Sequence, residues 1–408
     1  LSMALLPVAD AKNRLLENAH TITDTETVPL GDARARVLAD DLLARLTQPP
    51  FDASAMDGYA LKAADAQQLG SELRVIGSSA AGHAFDGQLG PGEAVRIFTG
   101  APLPLGADSV LIQEDAETLD GNRIRTKFEV TLARHVRPRG QDFREGEVVL
   151  AAGTPLDFSH LTVAAAMNHP TLTVYRRPRV AILATGDELV QPGSSPGPAQ
   201  IIASNAFGVS ALVQENGGEV IDLGIVGDRA ADITTAIEQA RSAKADILVT
   251  LGGASVGDHD LVQSTLKASG MQLDFWRIAM RPGKPLMVGT LGDMQVLGLP
   301  GNPVASLVTS MLFLEPLIRI LARLPESRRD TEALSAGPLP ANDQRQDYLR
   351  ARLWPGEDGR LVADPFDKQD SSMMKVFSQA DGLIIRPPHA PALAAGSPCP
   401  VLLIRPLP

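Results

Sequence analysis

The chain has 408 residues, 44% of them hydrophobic and 21% charged, enough apolar material for several domains with cores of their own. Its formal net charge of -11 excludes the extended basic face that nucleic acid or an anionic membrane surface requires, so an anionic ligand must be caught in a local pocket. Cys399 is the single cysteine, which excludes an internal disulfide, a zinc cluster or a Cys-x-x-C pair and suits a reducing cytoplasm.

Leu1-Ser2 ahead of Met3 reads as a vector remnant, and Ala4 to Val8 is too short an apolar stretch, with no basic lead, for a signal peptide. Val8, Ala11, Leu15, Leu16 and Ala19 predict one helical face. A second helical pattern runs from Leu30 to Leu43, and the two are expected to form a small helical unit. Gln48-Pro-Pro-Phe51 breaks the period and marks a boundary. From there to Val148 the pattern is β-like, with runs at Arg74 to Gly77, Ala94 to Phe98, Ser109 to Gln113, Asn122 to Thr126 and Ala133 to Arg137. With 4% aromatic residues, the core of this inserted module must be aliphatic. Leu156 to Met167 is helical again and is expected to pack back on the N-terminal helices, which makes the first domain discontinuous (3–47 with 149–178, around a module at 48–148).

The next segment, 179–326, alternates short apolar runs with helical periods, the pattern of a parallel sheet covered on both faces. Strands are expected at Val180 to Ala184, Val220 to Val226, Asp246 to Leu251, Leu273 to Met280 and Gln295 to Leu299, with helices at Asn205 to Gln214, Ile233 to Ala243 and from Pro303 to near Arg323. The last segment, 327–408, returns to β periodicity at Tyr348 to Trp354, Gly382 to Arg386 and Val401 to Arg405. The expected fold is multi-domain α/β plus β: a central three-layer α/β domain with a mostly parallel sheet, an inserted all-β module, a small discontinuous helical domain and a C-terminal β-barrel-like domain. No apolar run approaches membrane-span length.

Three loops of the α/β segment follow apolar runs: Gly252-Gly-Ala-Ser-Val-Gly-Asp-His-Asp260, Arg281-Pro-Gly-Lys-Pro285 and Pro300-Gly-Asn-Pro303. Ligands of such sheets sit outside the carboxyl ends of the strands, so the three loops should meet at one rim. Gly252, Gly253 and Gly301 allow the backbone to approach a ligand closely, and Asn302-Pro303 suits the start of a helix. Arg277, Arg281 and Lys284 add positive charge, while Asp258 and Asp260 would repel a phosphate unless a hard cation such as Mg2+ lies between. The chemistry is that of a phosphate-plus-metal site. Two polar stretches of the β module, Pro50 to Tyr59 and Arg137 to Asp142, also set carboxylates beside glycine, although Asp-Gly is an ordinary turn dipeptide.

Seven stretches in order carry a resemblance: Ser54-Ala-Met-Asp-Gly-Tyr-Ala60, Phe98-Thr-Gly-Ala-Pro-Leu-Pro104, Arg139-Gly-Gln-Asp142, Thr185-Gly-Asp-Glu188, Gly252-Gly-Ala-Ser-Val-Gly257, Pro282-Gly-Lys-Pro285 and Gly298-Leu-Pro-Gly-Asn-Pro303. Together they resemble the successive motifs of the molybdopterin molybdenumtransferases, the family to which the C-terminal part of gephyrin is similar. The resemblance implies insertion of molybdenum from molybdate into adenylylated molybdopterin, with release of AMP aided by Mg2+. It also implies a cytoplasmic homodimer that brings one subunit's module to the other's rim, and leaves other molybdenum cofactor biosynthesis proteins as further partners. By motif, Asp57 and Asp142 belong to the insertion step and Glu188 to catalysis. Thr99, Asp228, Ser255, Asp260, Arg277, Arg281 and Lys284 line the site, with Arg350 and Ser371 as additions. The family usually has lysine where this chain has Arg277 and Arg281, and a planar guanidinium fork replaces a point charge there.

Whether Asp57 and Asp142 protonate departing oxygens of molybdate or hold Mg2+ stays open at this level. Glu188 also suits a helix N-terminus, Asp228 an N-cap, and Lys284 a solvated turn. Gly253-Ala-Ser-Val-Gly257 satisfies the Gly-x-Ser-x-Gly pattern of a serine hydrolase, but only His259 and His389 follow Ser255, neither suitably placed. An adenylyltransferase acting from ATP and a non-catalytic pterin-binding scaffold are the nearer alternatives. The smaller adenylyltransferases have no counterpart of the β module, and neither nucleotide-fold glycine signature is present.

Overall fold

The computed structural model describes residues 5–252 and 261–406. The chain divides into two compact units, Thr27–Val174 and a larger one of Leu1–Glu26 with Tyr175–Pro408. Helix α1 (Val8–Glu17) buries Val8, Ala11 and Leu15, the face its period predicts. That face joins Phe313, Leu317 and Leu321 in the core of the larger unit. The expected pairing with a helix at Leu30 to Leu43 is not formed, because that stretch is a 3-10 turn (Leu30–Asp32) and a two-residue strand (Leu42–Leu43). Ala35 there has φ 58°, which a helix interior excludes, and Leu38 bridges Val174 from extended backbone. The apolar spacing was read with the wrong period.

In the unit Thr27–Val174, β1 (Gly58–Leu61), β2 (Glu72–Ser79), β3 (Glu93–Ile97), β4 (Ser109–Ile112), β5 (Ala116–Leu119) and β6 (Arg123–Thr126) form a sheet of order β4-β1-β3-β2-β6-β5. Side chains alternate across its pleat. Leu61, Leu73, Ala94, Leu111 and Ile124 meet in one core, and Ala60, Ile97, Ala101 and Val110 in another. Both are aliphatic. A third core joins Val28, Leu38 and Leu42 to Phe143, Leu150, Met167 and Leu172, so the chain before and after the sheet packs together. Helix α2 (Phe158–Ala166) belongs to this core, and Asp157 caps it, accepting from the backbone N–H of Ser159 and His160.

The larger unit begins its sheet with β7 (Arg179–Thr185), β8 (Glu219–Val226), β9 (Ile247–Leu251), β10 (Gln272–Arg277), β11 (Pro285–Leu291) and β12 (Met294–Leu299). Their order is β8-β7-β9-β12-β11-β10. The first four are parallel, and β11 runs antiparallel between β12 and β10. The sheet is mostly parallel, as expected. β11 was not anticipated, since it starts directly at the end of one motif loop and turns through Gly292-Asp293 into β12.

Alternation again sorts the faces: Val180, Ile182, Ile247, Val249, Leu297 and Leu299 pack toward α1, α3 (Asn205–Glu215) and the run 303–321. Ala181, Leu183, Leu248 and Val296 pack toward α4 (Ala230–Ser242) and α5 (Leu261–Ala268). The 303–321 run consists of α6 (Pro303–Thr309), a π turn (Ser310–Leu314) and α7 (Glu315–Leu321). Contrary to the sequence reading, its 19 residues with hydropathy 1.7 are long and apolar enough to cross a membrane, but 72% is buried in this core.

Beyond it, β13 (Asp330–Ser335), β14 (Gln346–Pro355), β15 (Leu361–Pro365), β16 (Gly382–Arg386) and β17 (Pro398–Leu403) run in the order β14-β15-β13-β17-β16, and β16 pairs back on β14 to close a barrel. Ala333, Ala351, Leu353, Ala363, Ile384, Cys399 and Val401 fill it. Helix α8 (Met374–Gln379) lies between β15 and β16 in the chain. The two-residue strand Met280–Arg281 adds to this sheet, pairing parallel with the start of β14 at Gln346 and Asp347.

Candidate functional site

The C-terminal ends of β7, β9, β12 and β10 share one edge of the α/β sheet, and the loops that leave them meet there. Gly252 has φ 97°, and a Cβ on it would lie 2.9 Å from the Thr185 carbonyl oxygen. A Cβ on Gly301 would touch the Gly252 Cα at 3.8 Å. Gly283 (φ 109°) packs on the π-turn region, where a Cβ would stand 2.6 Å from Thr309 Cγ2. The close approach that glycine allows is used here for loop against loop as well as for loop against cleft.

These loops line a cleft of about 1660 Å³ together with Glu188, Asp228, Ile201, Ile202, Arg345, Gln369, Asp370, Ser371 and Met374. The sequence predicted the meeting of the three loops, as far as they are described. Gly253, Ser255, Asp258 and Asp260 lie outside the described residues. Asn302 and Pro303 do start α6, but Asn302 makes no capping bond. Its Nδ2 instead donates to Ser371 Oγ at 2.9 Å, and the Val304 N–H donates to the Ser371 carbonyl at 3.0 Å. Asn205 Nδ2 donates to the Gly301 carbonyl at 2.7 Å. Ser371 is thus built into the helix start.

The charges differ from the sequence expectation. Lys284 lines the cleft, and its ammonium forms no hydrogen bond or ion pair among the described residues. Arg281 also lines it, yet its guanidinium is engaged: Nε donates to Asp347 Oδ1 at 2.9 Å, Nη2 reaches the other Asp347 oxygen, and Nη1 lies 3.3 Å from Asp343 Oδ2. The Asp347 hydrogen bonds push the Arg281 pKa up. Arg277 is not in the cleft lining; its guanidinium stacks 4.1 Å from the Trp276 ring centroid. Arg350 is 1% exposed, and none of its guanidinium nitrogens has a hydrogen-bond partner among the described residues. Burial pulls its pKa down. Its backbone is held by Gln369, which accepts from the Arg350 N–H at 2.9 Å and donates to its carbonyl at 3.0 Å. A buried guanidinium without a partner is costly; Asp370 is the acid that acts on this one, and Arg350, expected at the site, is not in the cleft lining.

Glu188 and Asp228 line the cleft, and neither carboxylate forms a hydrogen bond or ion pair among the described residues. Asp187 Oδ1 accepts the Asp228 N–H at 3.0 Å and so fixes the loop after β8. The N-cap of α4 is Arg229 rather than Asp228. Asp370 is folded into its own turn, accepting from the Ser372 N–H and hydroxyl at 2.8 and 2.6 Å. Sequence reasoning missed Arg345, Gln369 and the apolar lip of Ile201, Ile202 and Met374. For Arg345 the available signal was its position just ahead of a β run.

In the other unit, the stretches 50–60, 98–104 and 135–142 form one corner. Ala53 and Ser54 pair antiparallel with Arg137 and Val136, the Ser54 N–H donates to the Ala101 carbonyl, and the Asp142 N–H donates to the Gln48 carbonyl. Asp57 Oδ1 accepts from both the N–H and the hydroxyl of Thr99, each at 2.8 Å. Those bonds, the backbone one first, hold the Asp57 carboxyl below its ordinary value, and Arg96 adds to the effect. Thr99, expected to bind substrate, spends its hydroxyl on Asp57. Asp142 is exposed at the same corner.

Three family models match the chain in succession: the MoeA N-terminal region (domain I and II) over residues 6–168, a probable molybdopterin binding domain over 181–320, and the MoeA C-terminal region (domain IV) over 332–404. The chain is similar to the molybdopterin molybdenumtransferase of Haemophilus influenzae, 34% identical over 394 residues that make up 96% of this chain and 97% of that protein. It is 39% identical to the same-named protein of a Nostoc species over 339 residues, 81% of this chain and 77% of that one. Its fold is similar to a molybdopterin biosynthesis MoeA protein from Pyrococcus horikosii, with TM-score 0.79, 30% identity, and 99% and 100% of the two chains covered.

Proposed function

Since this chain belongs to the molybdopterin molybdenumtransferase family, we propose that it inserts molybdenum from molybdate into adenylylated molybdopterin and releases AMP. The observation that carries this reading is the cleft itself. It sets an ammonium, Lys284, and two carboxylates, Glu188 and Asp228, none of them paired among the described residues, around close-packed glycine loops, which suits a phosphoanhydride bound beside a hard cation. Lys284 holds the phosphate charge. The described residues hold no cluster of three or more metal-ligand side chains, so Mg2+ would take Glu188 and Asp228 together with oxygen donors such as Asp258 and Asp260 of the neighbouring loop sequence. Mg2+ supplies neutralisation of charge on the departing AMP.

Molybdate is an oxyanion; of the two residues the resemblance adds to the site, Ser371 lines the cleft, while Arg350 lies outside the lining with its guanidinium buried and without a hydrogen-bond partner among the described residues. Asp57, held ionised by Thr99, suits a metal ligand or proton acceptor better than a proton donor at neutral pH, which favours the metal-facing role left open by the sequence. Asp142 shares that corner and that step. A cytoplasmic homodimer, served by other proteins of the same biosynthesis, completes the reading.

The test is incubation of the protein with adenylylated molybdopterin, molybdate and Mg2+, with AMP and bound molybdenum measured together. Equal release of AMP and capture of molybdenum is expected. AMP formed without dependence on molybdate overturns the proposal.

A further inference from the structure

The cleft presents Arg281, Lys284 and Arg345, but only some of that charge is available. Arg281 is neutralised by Asp347, whose side chain is 7% exposed, and leans on Asp343 as well. Asp370, an acid that also lines the cleft, is satisfied by its Ser372 turn. Arg345 differs from Arg281. Its backbone is fixed, the N–H donating to Asp343 Oδ1 at 2.8 Å and the carbonyl accepting from Asn342 Nδ2 at 2.7 Å. Among the described residues its guanidinium makes one long contact, Nη2 to Asp343 Oδ2 at 3.3 Å. Asp343 is shared with Arg281, so its single charge is divided between two guanidiniums, and most of the five N–H donors of Arg345 are left for a ligand.

We propose that Arg345 is the second anion-binding residue of the cleft, taking the place at the phosphate that the motif would give to residue 281, while Arg281 ties the rim loop to the barrel. The assignment rests on the reading of the cleft as a phosphoanhydride site. Two negatively charged phosphoryl groups call for more than Lys284 alone, and a guanidinium offers the bidentate fork that phosphate oxygens match. The ligand class is a nucleoside phosphate or pyrophosphate ester.

The probe is AMP, titrated calorimetrically into the full-length chain with Mg2+ present, beside a thermal melt of each variant. Arg345→Ala is expected to weaken AMP binding about 10- to 100-fold with an unchanged melt, and Arg345→Lys to recover part of that loss, because charge is retained and the fork is not. A role limited to packing would lower the melt of Arg345→Ala, which the thermal measurement detects. Arg281→Gln is expected to lower the melting temperature more than either Arg345 variant does. Binding by wild type that Arg345→Ala leaves within twofold overturns the assignment alone. Failure of wild type to bind AMP overturns the reading of the cleft and the assignment with it.

Discussion

Gly283 carries the rim loop over the π-turn region, and replacing it with alanine probes that seam. At φ 109° a Cβ is placed 2.6 Å from Thr309 Cγ2 and 3.1 Å from Met280 Cε. The methionine end is flexible and moves aside; the threonine methyl sits on helical backbone and is itself fixed by hydroxyl bonds to the Ala305 and Ser306 carbonyls. Holding a non-glycine residue at such a φ costs about 1 to 3 kcal/mol. Relieving the overlap costs about 1 to 3 kcal/mol more, so Gly283→Ala is expected to destabilise the larger unit by about 2 to 6 kcal/mol, a large share of a typical domain's stability. The chain has two tryptophans, and Trp354→Phe leaves Trp276 as the reporter in the α/β sheet. Urea unfolding followed by Trp276 fluorescence in that background measures the change. Adding Thr309→Ser deletes Cγ2 and keeps the hydroxyl, so it should return the overlap part of the loss and leave the backbone part. A Gly283→Ala protein that unfolds within about 0.5 kcal/mol of its parent refutes the argument, since that is less than the least cost assigned to the backbone alone.

Lys284→Ala removes an unpaired cation, so AMP binding should weaken by about 1.5 to 3 kcal/mol with no change in the melt; equal affinity in calorimetry would remove Lys284 from the phosphate. Asp57→Asn should still bind the adenylylated pterin and fail to capture molybdenum, which equilibrium binding and metal analysis on the same sample separate. Because Thr99 holds the Asp57 pKa down, the stability these bonds contribute is present above the unfolded carboxylate pKa and is lost as pH falls through the lower folded value. Thr99→Val, which keeps the backbone N–H and lacks the hydroxyl, should move the Asp57 titration part of the way upward in carboxyl NMR, and an unmoved titration contradicts the share assigned to the hydroxyl. Ser255 should stay unlabelled by a fluorophosphonate, and covalent labelling there would revive the hydrolase reading.

Much of this was legible because glycine loops and apolar runs report local requirements. β9 and its Gly252, or the Pro300-Gly301 turn into α6, are set by residues next to each other in the chain, and the rim followed from them. The stretch Leu30 to Leu43 was misread because Leu38 and Leu42 satisfy a helical spacing while their partners, such as Val174, lie far along the chain. β13 and β15 escaped for the same reason, as each owes its existence to neighbours in a barrel that closes only between β14 and β16. The charges were hardest. Nothing near Arg281 announces that a carboxylate 66 residues later will take it, and nothing near Arg350 announces that its guanidinium will be sealed without a partner.

The two-residue strand Met280–Arg281 has a mechanical meaning. Chain order assigns these residues to the α/β sheet, but their strand pairing is with β14 of the barrel, the Gln346 N–H donates to the Ala279 carbonyl, and the Arg281 side chain is held by Asp347. The loop ending in Lys284 is therefore held from two sides, by the barrel through Met280–Arg281 and by the α/β sheet, where the Ile278 N–H donates to the Lys284 carbonyl at 3.0 Å and β11 begins at Pro285. Lys284 thus sits on a seam that both sheets share, and a substitution on either side of it, at Asp347 or at Ile278, reaches the Lys284 rim of the cleft.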